Sequence, residues 1–99
     1  MNFEIAPKST EVQLNWDDAR LYCFALDIDG KTGWRLPTVE ELNEIYQAEN
    51  DFEESWYWTS IESSYSVQLA WYQNMDDGYQ SYAVKSYDGN YIRAIRSLV

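Results

Sequence analysis

The chain has 99 residues and combines many aromatic side chains with a strong excess of acidic ones. Lys and Arg number seven against 17 Asp and Glu, which gives a net charge of −10 at pH 7. A field of this sign repels nucleic acid and anionic membrane and attracts basic surfaces. The sequence has no His and one Cys, which excludes an internal disulfide and any site built on His or on several Cys.

The net negative charge belongs to the middle of the chain. Between Leu36 and Val84 there is no basic residue, whereas this stretch contains ten acids. The flanking segments hold seven acids and seven bases, which cancel. One interpretation is solubility, since a net charge keeps small domains apart. The alternative is an acidic docking surface for a basic partner.

We expect a single domain over residues 1–99, because this length fits one domain and not two. Residues 1–8 lack the basic segment and apolar run of a signal peptide, and no stretch approaches 18 apolar residues. A small secreted domain often has two or more disulfides, which one Cys cannot form. We therefore expect a cytoplasmic location, or a virion-associated one if a phage encodes the chain.

The first half of the chain is predicted to hold two helices, over residues 15–50. They follow a lead-in at 1–14, with a short strand at 2–6 and irregular structure at 7–13. Asn15 can cap a helix that ends near Leu26, because its side chain accepts from free backbone amides of the first turn. This helix has an apolar face with helical spacing, formed by Trp16, Ala19, Tyr22, Cys23 and Leu26.

A capping box marks the start of the second helix. Thr38 can accept from the amide of Glu41, whose side chain reaches back to the cap. The helix is predicted to end at Asn50. Its apolar stripe consists of Val39, Leu42, Ile45 and Tyr46, and the acids left facing solvent include Glu40, Glu44, Glu53 and Glu54.

From Ser55 onward the apolar pattern changes to a period of two, which indicates antiparallel strands over residues 55–98. The strands are expected at 56–61, 67–72, 79–85 and 91–98, with turns at 74–78 and 88–90. Two helices followed by a meander of strands indicate an α+β domain.

Seven short motifs occur in order along the chain. They are Trp16-Asp17-Asp18-Ala19, Tyr22-Cys23, Gly33-Trp34-Arg35-Leu36-Pro37-Thr38, Glu41-Leu42, Tyr57-Trp58-Thr59-Ser60, Ala70-Trp71 and Arg93-Ala94-Ile95-Arg96. Together they resemble the C-terminal domain family of the Legionella collagen-like proteins, over about residues 16–96. That family is a domain of unknown function with a C-type-lectin-like fold, found in bacterial surface and bacteriophage proteins.

The resemblance implies a compact C-type-lectin-like fold, with two helices packed on a twisted antiparallel sheet and the termini brought together. It also implies structural roles for the motif residues. Arg35 pairs with an acid of the second helix, and Trp34 and Trp58 lie in the core.

The sequence offers little for catalysis, so we predict a protein that is not an enzyme and has no catalytic residue, metal or cofactor. Cys23 lies on an apolar helix face without a visible basic neighbour, unlike a reactive thiol. Asp27 and Asp29 alternate as in a calcium loop, but the third ligand and the bidentate Glu are missing. Neighbouring acids such as Asp17 and Asp18 do not face each other on a helix.

The strongest candidate for a recognition surface is the aromatic and polar hairpin at 71–82. Tyr, Ser, Asn and Gly are favoured in antibody binding sites, where Tyr covers area at low entropy cost. The candidate binding residues are Trp71, Tyr72, Asn74, Asp76, Asp77, Tyr79 and Tyr82, together with Glu40, Glu44, Glu53 and Glu54. Tyr65, Tyr87 and Tyr91 can extend this surface. The alternative is that half of the tyrosines alternate into the core.

Three functions follow from these features. The first is a protein-interaction module that presents the Tyr-rich hairpin and the acidic surface to a protein partner with a basic surface. The second is an acidic, phage-encoded inhibitor that occupies the basic nucleic-acid-binding groove of a host or defence protein. The third is glycan binding, which rests on fold analogy and on exposed Trp or Tyr. None of them involves direct contact with nucleic acid or membrane.

Overall fold

A computed structural model describes residues 1–98, which form two α-helices and eight strands. In chain order these are β1 (Phe3–Ile5), β2 (Val12–Gln13), α1 (Trp16–Ala25), β3 (Trp34–Arg35), α2 (Val39–Gln47), β4 (Trp56–Glu62), β5 (Leu69–Asn74), β6 (Gln80–Val84), β7 (Tyr91–Ile92) and β8 (Ile95–Ser97). The predicted α+β class, with two helices, is confirmed. The C-type-lectin-like fold implied by the resemblance stays a prediction. No helix in residues 1–98 has the length and apolar character needed to cross a membrane.

The strands form two sheets. The larger has the order β2-β7-β4-β5-β6, and its pairs are antiparallel except for a parallel bridge between β4 and β7. The smaller has the order β1-β8-β3, in which Phe3 lies opposite Ser97. The expectation that the chain ends approach each other is therefore confirmed for these two strands.

The sheets differ from the predicted meander. Strand β3 lies within residues 15–50, a range that was predicted to hold only the two helices, and it pairs with β8. Strand β5 is shifted from the predicted 67–72 to Leu69–Asn74. Strand β2 lies in the stretch 7–13 that was expected to be irregular, because Val12 and Gln13 pair with the distant β7. The strand predicted at 91–98 is divided into β7 and β8, which belong to different sheets. The division falls at Arg93 and Ala94, where the backbone amide of Ala6 donates to the carbonyl of Ala94 at 2.9 Å.

Both helices begin where their caps predict. The Asn15 side chain accepts from the amide of Asp18, and the full capping box joins Thr38 and Glu41. The second helix ends at Gln47, earlier than the predicted Asn50. The side-chain amide of Asn50 instead donates to the carbonyls of Ile45 and Ala48, both at 3.0 Å, so it caps the helix from outside.

The larger sheet is covered on both faces. Trp58 and Tyr57 are successive residues of β4, so their side chains point to opposite faces. Trp58 packs in a core with Trp16, Ala19 and Cys23 of α1, and Tyr57 in another with Leu42 and Ile45 of α2. The sheet is therefore a layer between the two helices.

Buried indoles tie this core to the backbone. Trp58 donates to the carbonyl of Leu14 at 3.0 Å, and Trp34 to that of Lys31 at 2.9 Å. Each thereby buries a large apolar area without leaving its N–H unpaired. The predicted core positions of Trp34 and Trp58, which are 5% and 0% exposed, are confirmed.

The predicted pairing of Arg35 with the second helix is also confirmed. The guanidinium donates to both carboxylate oxygens of Glu41, at 2.7 and 2.8 Å. The same carboxylate accepts from the backbone amide of Thr38, so one side chain caps α2 and joins it to β3. These bonds lower the pKa of Glu41 from 4.5 to about 2, and the hydrogen bonding of Arg35 has the largest effect.

The depressed pKa predicts a pH-dependent contribution to stability. The Glu41 carboxylate stabilises the fold fully above about pH 4.5, and this contribution is lost as the pH falls towards 2. We expect Glu41→Gln to lower the free energy of unfolding at pH 7 by about 2 kcal/mol, a value discounted for the exposure of Arg35. Below pH 2 the difference from wild type should vanish, as measured by denaturant unfolding across pH.

The neighbouring Glu40 provides the control, because its side chain is exposed. Glu40→Gln should change the free energy of unfolding by less than about 0.5 kcal/mol at either pH. An effect of Glu41→Gln that is equally large at pH 7 and at pH 2 would contradict the role given to the ion pair.

Candidate functional site

The Tyr-rich hairpin is formed by β5 and β6, and its candidate residues are divided between the two faces of the sheet. Opposed residues of an antiparallel pair share a face, and Trp71 lies opposite Tyr82. Tyr72 lies opposite Ser81 and therefore faces the other side. The hairpin does not present one continuous aromatic surface.

On the face covered in part by α2, an outer aromatic cluster consists of Tyr65, Trp71 and Tyr82. The rings of Trp71 and Tyr82 meet edge to face at 4.4 Å, and those of Tyr65 and Tyr82 at 5.5 Å. Trp71 and Tyr82 are half-buried, whereas Tyr65 is 79% exposed. This cluster therefore leaves aromatic surface accessible to solvent.

On the opposite face, the rings of Trp56 and Tyr72 stack at 4.0 Å with 17° between their planes. The exposed Tyr79 ring meets Trp56 edge-on at 6.2 Å. Burial raises the pKa of the Tyr72 phenol, and the nearby phenols of Tyr87 and Tyr79 raise it further. The partial burial of Tyr72 agrees with the alternative that some hairpin tyrosines turn towards the core.

An open groove of about 590 Å³ lies beside this stack. We call it the aromatic groove, and its walls include Trp56, Tyr72, Ser86, Tyr87 and Asn90. Sequence reasoning missed Trp56, Ser86 and Asn90 as site residues. One available signal was the spacing of Trp56 from Trp58, since residues two apart on a strand share a face.

Asn90 is the unusual member of the groove. The residue is 3% exposed, and its side-chain amide nitrogen has no hydrogen-bond partner among residues 1–98. Its backbone carbonyl accepts from the amide of Leu14 at 3.2 Å. A buried donor without a partner costs about 1–3 kcal/mol, so this amide calls for an explanation other than fold stability.

The turn of the hairpin positions acids from two segments side by side. The backbone amide of Met75 donates to the carbonyl of Ser55 at 2.8 Å, so their chain neighbours Asp76 and Glu54 lie on adjacent backbone segments, and Asp77 follows in the turn. All three acids are exposed. We call these three residues the acidic tip.

Short hydrogen bonds fix the turn itself. The Asn74 side chain accepts from the amide of Asp76 at 2.8 Å, and that of Asp77 from the amide of Tyr79 at 2.9 Å. Asn74 therefore has a structural role in addition to its predicted place in the site. Gly78, with φ +81°, lies against the ring of Tyr46, and a Cβ there would be 2.6 Å from that ring. This close contact packs the turn on α2.

The acids of α2 are therefore on an element next to the hairpin. Glu40 and Glu44 are both exposed on α2. The side chains of Asn43 and Gln73 bond at 3.1 Å, which is a second contact between α2 and the hairpin. Glu53 precedes the acidic tip but lies 3.5 Å from Lys8, so part of its charge is neutralised.

Most basic side chains are neutralised within the fold. Those within 4.0 Å of a carboxylate are Lys8, Lys31, Arg35, Lys85, Arg93 and Arg96. Among the bases of residues 1–98, only Arg20 has no such partner, and it lies 4.7 Å from the centre of the Trp16 ring. The unneutralised surface charge is therefore almost entirely negative.

The first helix also carries an apolar pair that sequence reasoning left out. Leu21 and Phe24 are 67% and 84% exposed and lie three residues apart, on a side of α1 away from its buried stripe. The sequence feature that could have revealed this pair is the presence of apolar residues on more than one side of the helix.

Groups that carry chemistry are scarce across residues 1–98. No group of three or more His, Cys, Asp or Glu side chains in this range is placed to hold a metal ion. The carboxylate of Asp27 accepts from the amide of Gly30 at 2.9 Å, so it is part of a turn. Cys23 is 1% exposed, and burial raises the pKa of its thiol to about 12.

The burial of Cys23 predicts an unreactive thiol. At pH 8 the native protein should react with dithionitrobenzoate at least about 100-fold more slowly than the chain unfolded in denaturant, because the thiolate is rare and covered. A Cys23→Ala variant supplies the background absorbance. Rapid reaction of the native protein would contradict this placement of Cys23.

Comparison with known proteins identifies the family of the chain. No curated protein matches the chain. The sequence model of a protein family described as the Lcl C-terminal domain matches residues 4–96. The matched range contains both helices, the aromatic groove and the acidic tip, and it confirms the resemblance seen in the motifs. The chain belongs to the Lcl C-terminal domain family.

Proposed function

We propose that this domain is a non-enzymatic protein-binding module that docks the acidic tip and the outer aromatic cluster on a basic surface of a protein partner. The observation that carries the proposal is the convergence of Glu54, Asp76 and Asp77 from two segments of the chain. Opposite charges attract over several ångströms and orient an approaching partner.

The rigidity of the acidic tip supports this function. The hydrogen bonds of the turn and the contact of Gly78 with Tyr46 hold its backbone before any partner arrives. Binding therefore costs little conformational entropy at this point, and more of the interaction energy appears as affinity.

The outer aromatic cluster supplies the apolar part of the proposed interface. Trp and Tyr dominate the energetics of protein interfaces, where they bury large areas next to a polar rim. Tyr82 and Trp71 lie on the same hairpin as the acidic tip. The tip then steers the partner and the aromatic rings provide the contact.

A second candidate is an inhibitor that occupies the basic nucleic-acid-binding groove of a host or defence protein. It is favoured by the neutralisation of the basic side chains, which leaves a surface with almost only negative charge. Duplex DNA should compete with the domain for the partner if this second candidate is correct. It should not compete if the domain binds elsewhere on the partner as a general interaction module.

The test compares two variants of equal charge. Glu54→Gln, Asp76→Asn and Asp77→Asn together neutralise the acidic tip, while Asn at position 77 keeps the acceptor for Tyr79. The control carries Asp17→Asn, Asp27→Asn and Asp29→Asn, which remove the same charge from exposed positions elsewhere.

Tagged wild-type protein first recovers the partner from its native host at low salt, and titration with the purified partner then gives affinities. We expect the tip variant to bind at least about tenfold more weakly and with a flatter salt dependence, because it lacks the attracting charges. The control should retain the wild-type affinity to within about threefold. Wild-type binding that does not change with salt, or equal losses in both variants, would refute the role of the acidic tip.

A further inference from the structure

We propose that the aromatic groove binds an extended, proline-rich segment of the partner that carries basic residues at its ends. The inference rests on the proposed function, because it names the part of a protein partner that the domain recognises. The groove is distinct from the acidic tip and lies on the other face of the sheet from the outer aromatic cluster.

The first argument is the unpartnered amide of Asn90. A side chain buried to this extent normally has its donors satisfied by protein or water. Here the nitrogen lacks a partner among residues 1–98, and the residue forms part of the groove wall. In the proposed complex, a carbonyl oxygen of the ligand accepts from this nitrogen.

The second argument is the excess of donors around the groove. The indoles of Trp16, Trp34 and Trp58 donate to backbone carbonyls. No side chain or carbonyl of residues 1–98 accepts from the indole N–H of Trp56, although that N–H can only donate. Ser86 adds a hydroxyl, and no charged side chain lines the groove. A ligand rich in neutral acceptors fits these walls.

Proline-rich segments have this chemistry. In the polyproline II conformation the carbonyls project into solvent, and each proline contributes a carbonyl without an N–H. The rings of such segments pack in grooves lined by aromatic side chains, at low entropy cost because the helix is preformed. Trp56, Tyr72 and Tyr87 provide such a lining. A sugar suits the groove less well, since each of its hydroxyls also needs an acceptor.

The negative charge of the domain favours basic residues at the ends of the proline-rich segment. The net charge of −10 attracts lysines and arginines that flank the prolines. Because the groove itself is uncharged, the basic residues are expected outside it and the prolines within it.

The test follows the ¹⁵N-labelled protein by NMR with three probes. The first is a peptide of consecutive prolines with two arginines at each end, and the second has alanines in place of the prolines. The third is a mixture of neutral oligosaccharides. We expect saturable shifts of the Trp56 indole and Asn90 carboxamide signals with the proline peptide only.

Variants separate binding from stability. Asn90→Leu removes the unpartnered amide, so it should weaken binding of the proline peptide at least tenfold while leaving the melting temperature unchanged or higher. Tyr87→Ser alters an exposed wall and should also weaken binding without unfolding the domain, so it decides the matter if Asn90→Leu fails to fold. Tyr65→Ser, an equivalent change in the outer aromatic cluster, should leave binding of this peptide unchanged.

The inference is overturned if the proline peptide causes no saturable shifts, if the alanine peptide binds equally well, or if the oligosaccharides move these signals instead. Any of these results leaves the proposed function standing as long as the tip variant still loses its partner. If instead the tip variant binds the partner as well as wild type does, while the proline peptide still binds in the groove, only the role of the acidic tip is refuted.

Discussion

The guanidinium of Arg93 is buried where segments from the beginning, middle and end of the chain meet. It donates to the carbonyl of Ala6 at 2.7 Å and pairs with Glu11 and Asp51. Its central carbon lies over the Phe52 ring, 4.8 Å from the ring centre. Removing one partner of a buried ion pair costs about 3–5 kcal/mol, because the other charge is left in the interior. The correct assembly of these segments is therefore strongly preferred.

The candidate interaction surfaces depend on this junction. Glu11 also accepts from the hydroxyl of Tyr57 at 2.6 Å, and that hydroxyl accepts from the amide of Glu53 at 2.8 Å. The loop after α2 is thus fixed at both Asp51 and Glu53. The same loop provides the carbonyl of Ser55 that accepts from the hairpin turn. The position of the acidic tip therefore depends on the contacts of the buried Arg93.

Local signals in the sequence were sufficient for the starts of both helices and for the hairpin turn. Caps such as Asn15 and Thr38 act within one turn of helix, and the alternation of β5 and β6 is set by neighbouring residues. The family motifs added the pairing of Arg35 and the buried positions of Trp34 and Trp58.

Features that depend on distant pairing could not be read in this way. Strand β2 has two residues, too few for any period, and exists only because β7 lies beside it. The aromatic groove gathers Trp56, Tyr72 and Asn90 from three strands or their flanks. No pattern within one segment indicates that these residues meet, and the division of the hairpin residues between two faces becomes visible only with the register of the strands.

The antiparallel pairing of β1 with β8 has a practical consequence for protein engineering. Phe3 and Ser97 lie on adjacent strands, whose backbones are separated by roughly 5 Å. The amide of Leu98 continues the ladder by donating to the carbonyl of Asn2. Segments attached before β1 and after β8 would therefore start at neighbouring points of the surface. Domains with this arrangement tolerate insertion into a loop of a host protein. The domain is therefore suited to insertion into another protein, because the connections to the host do not require either sheet to lose a strand pairing.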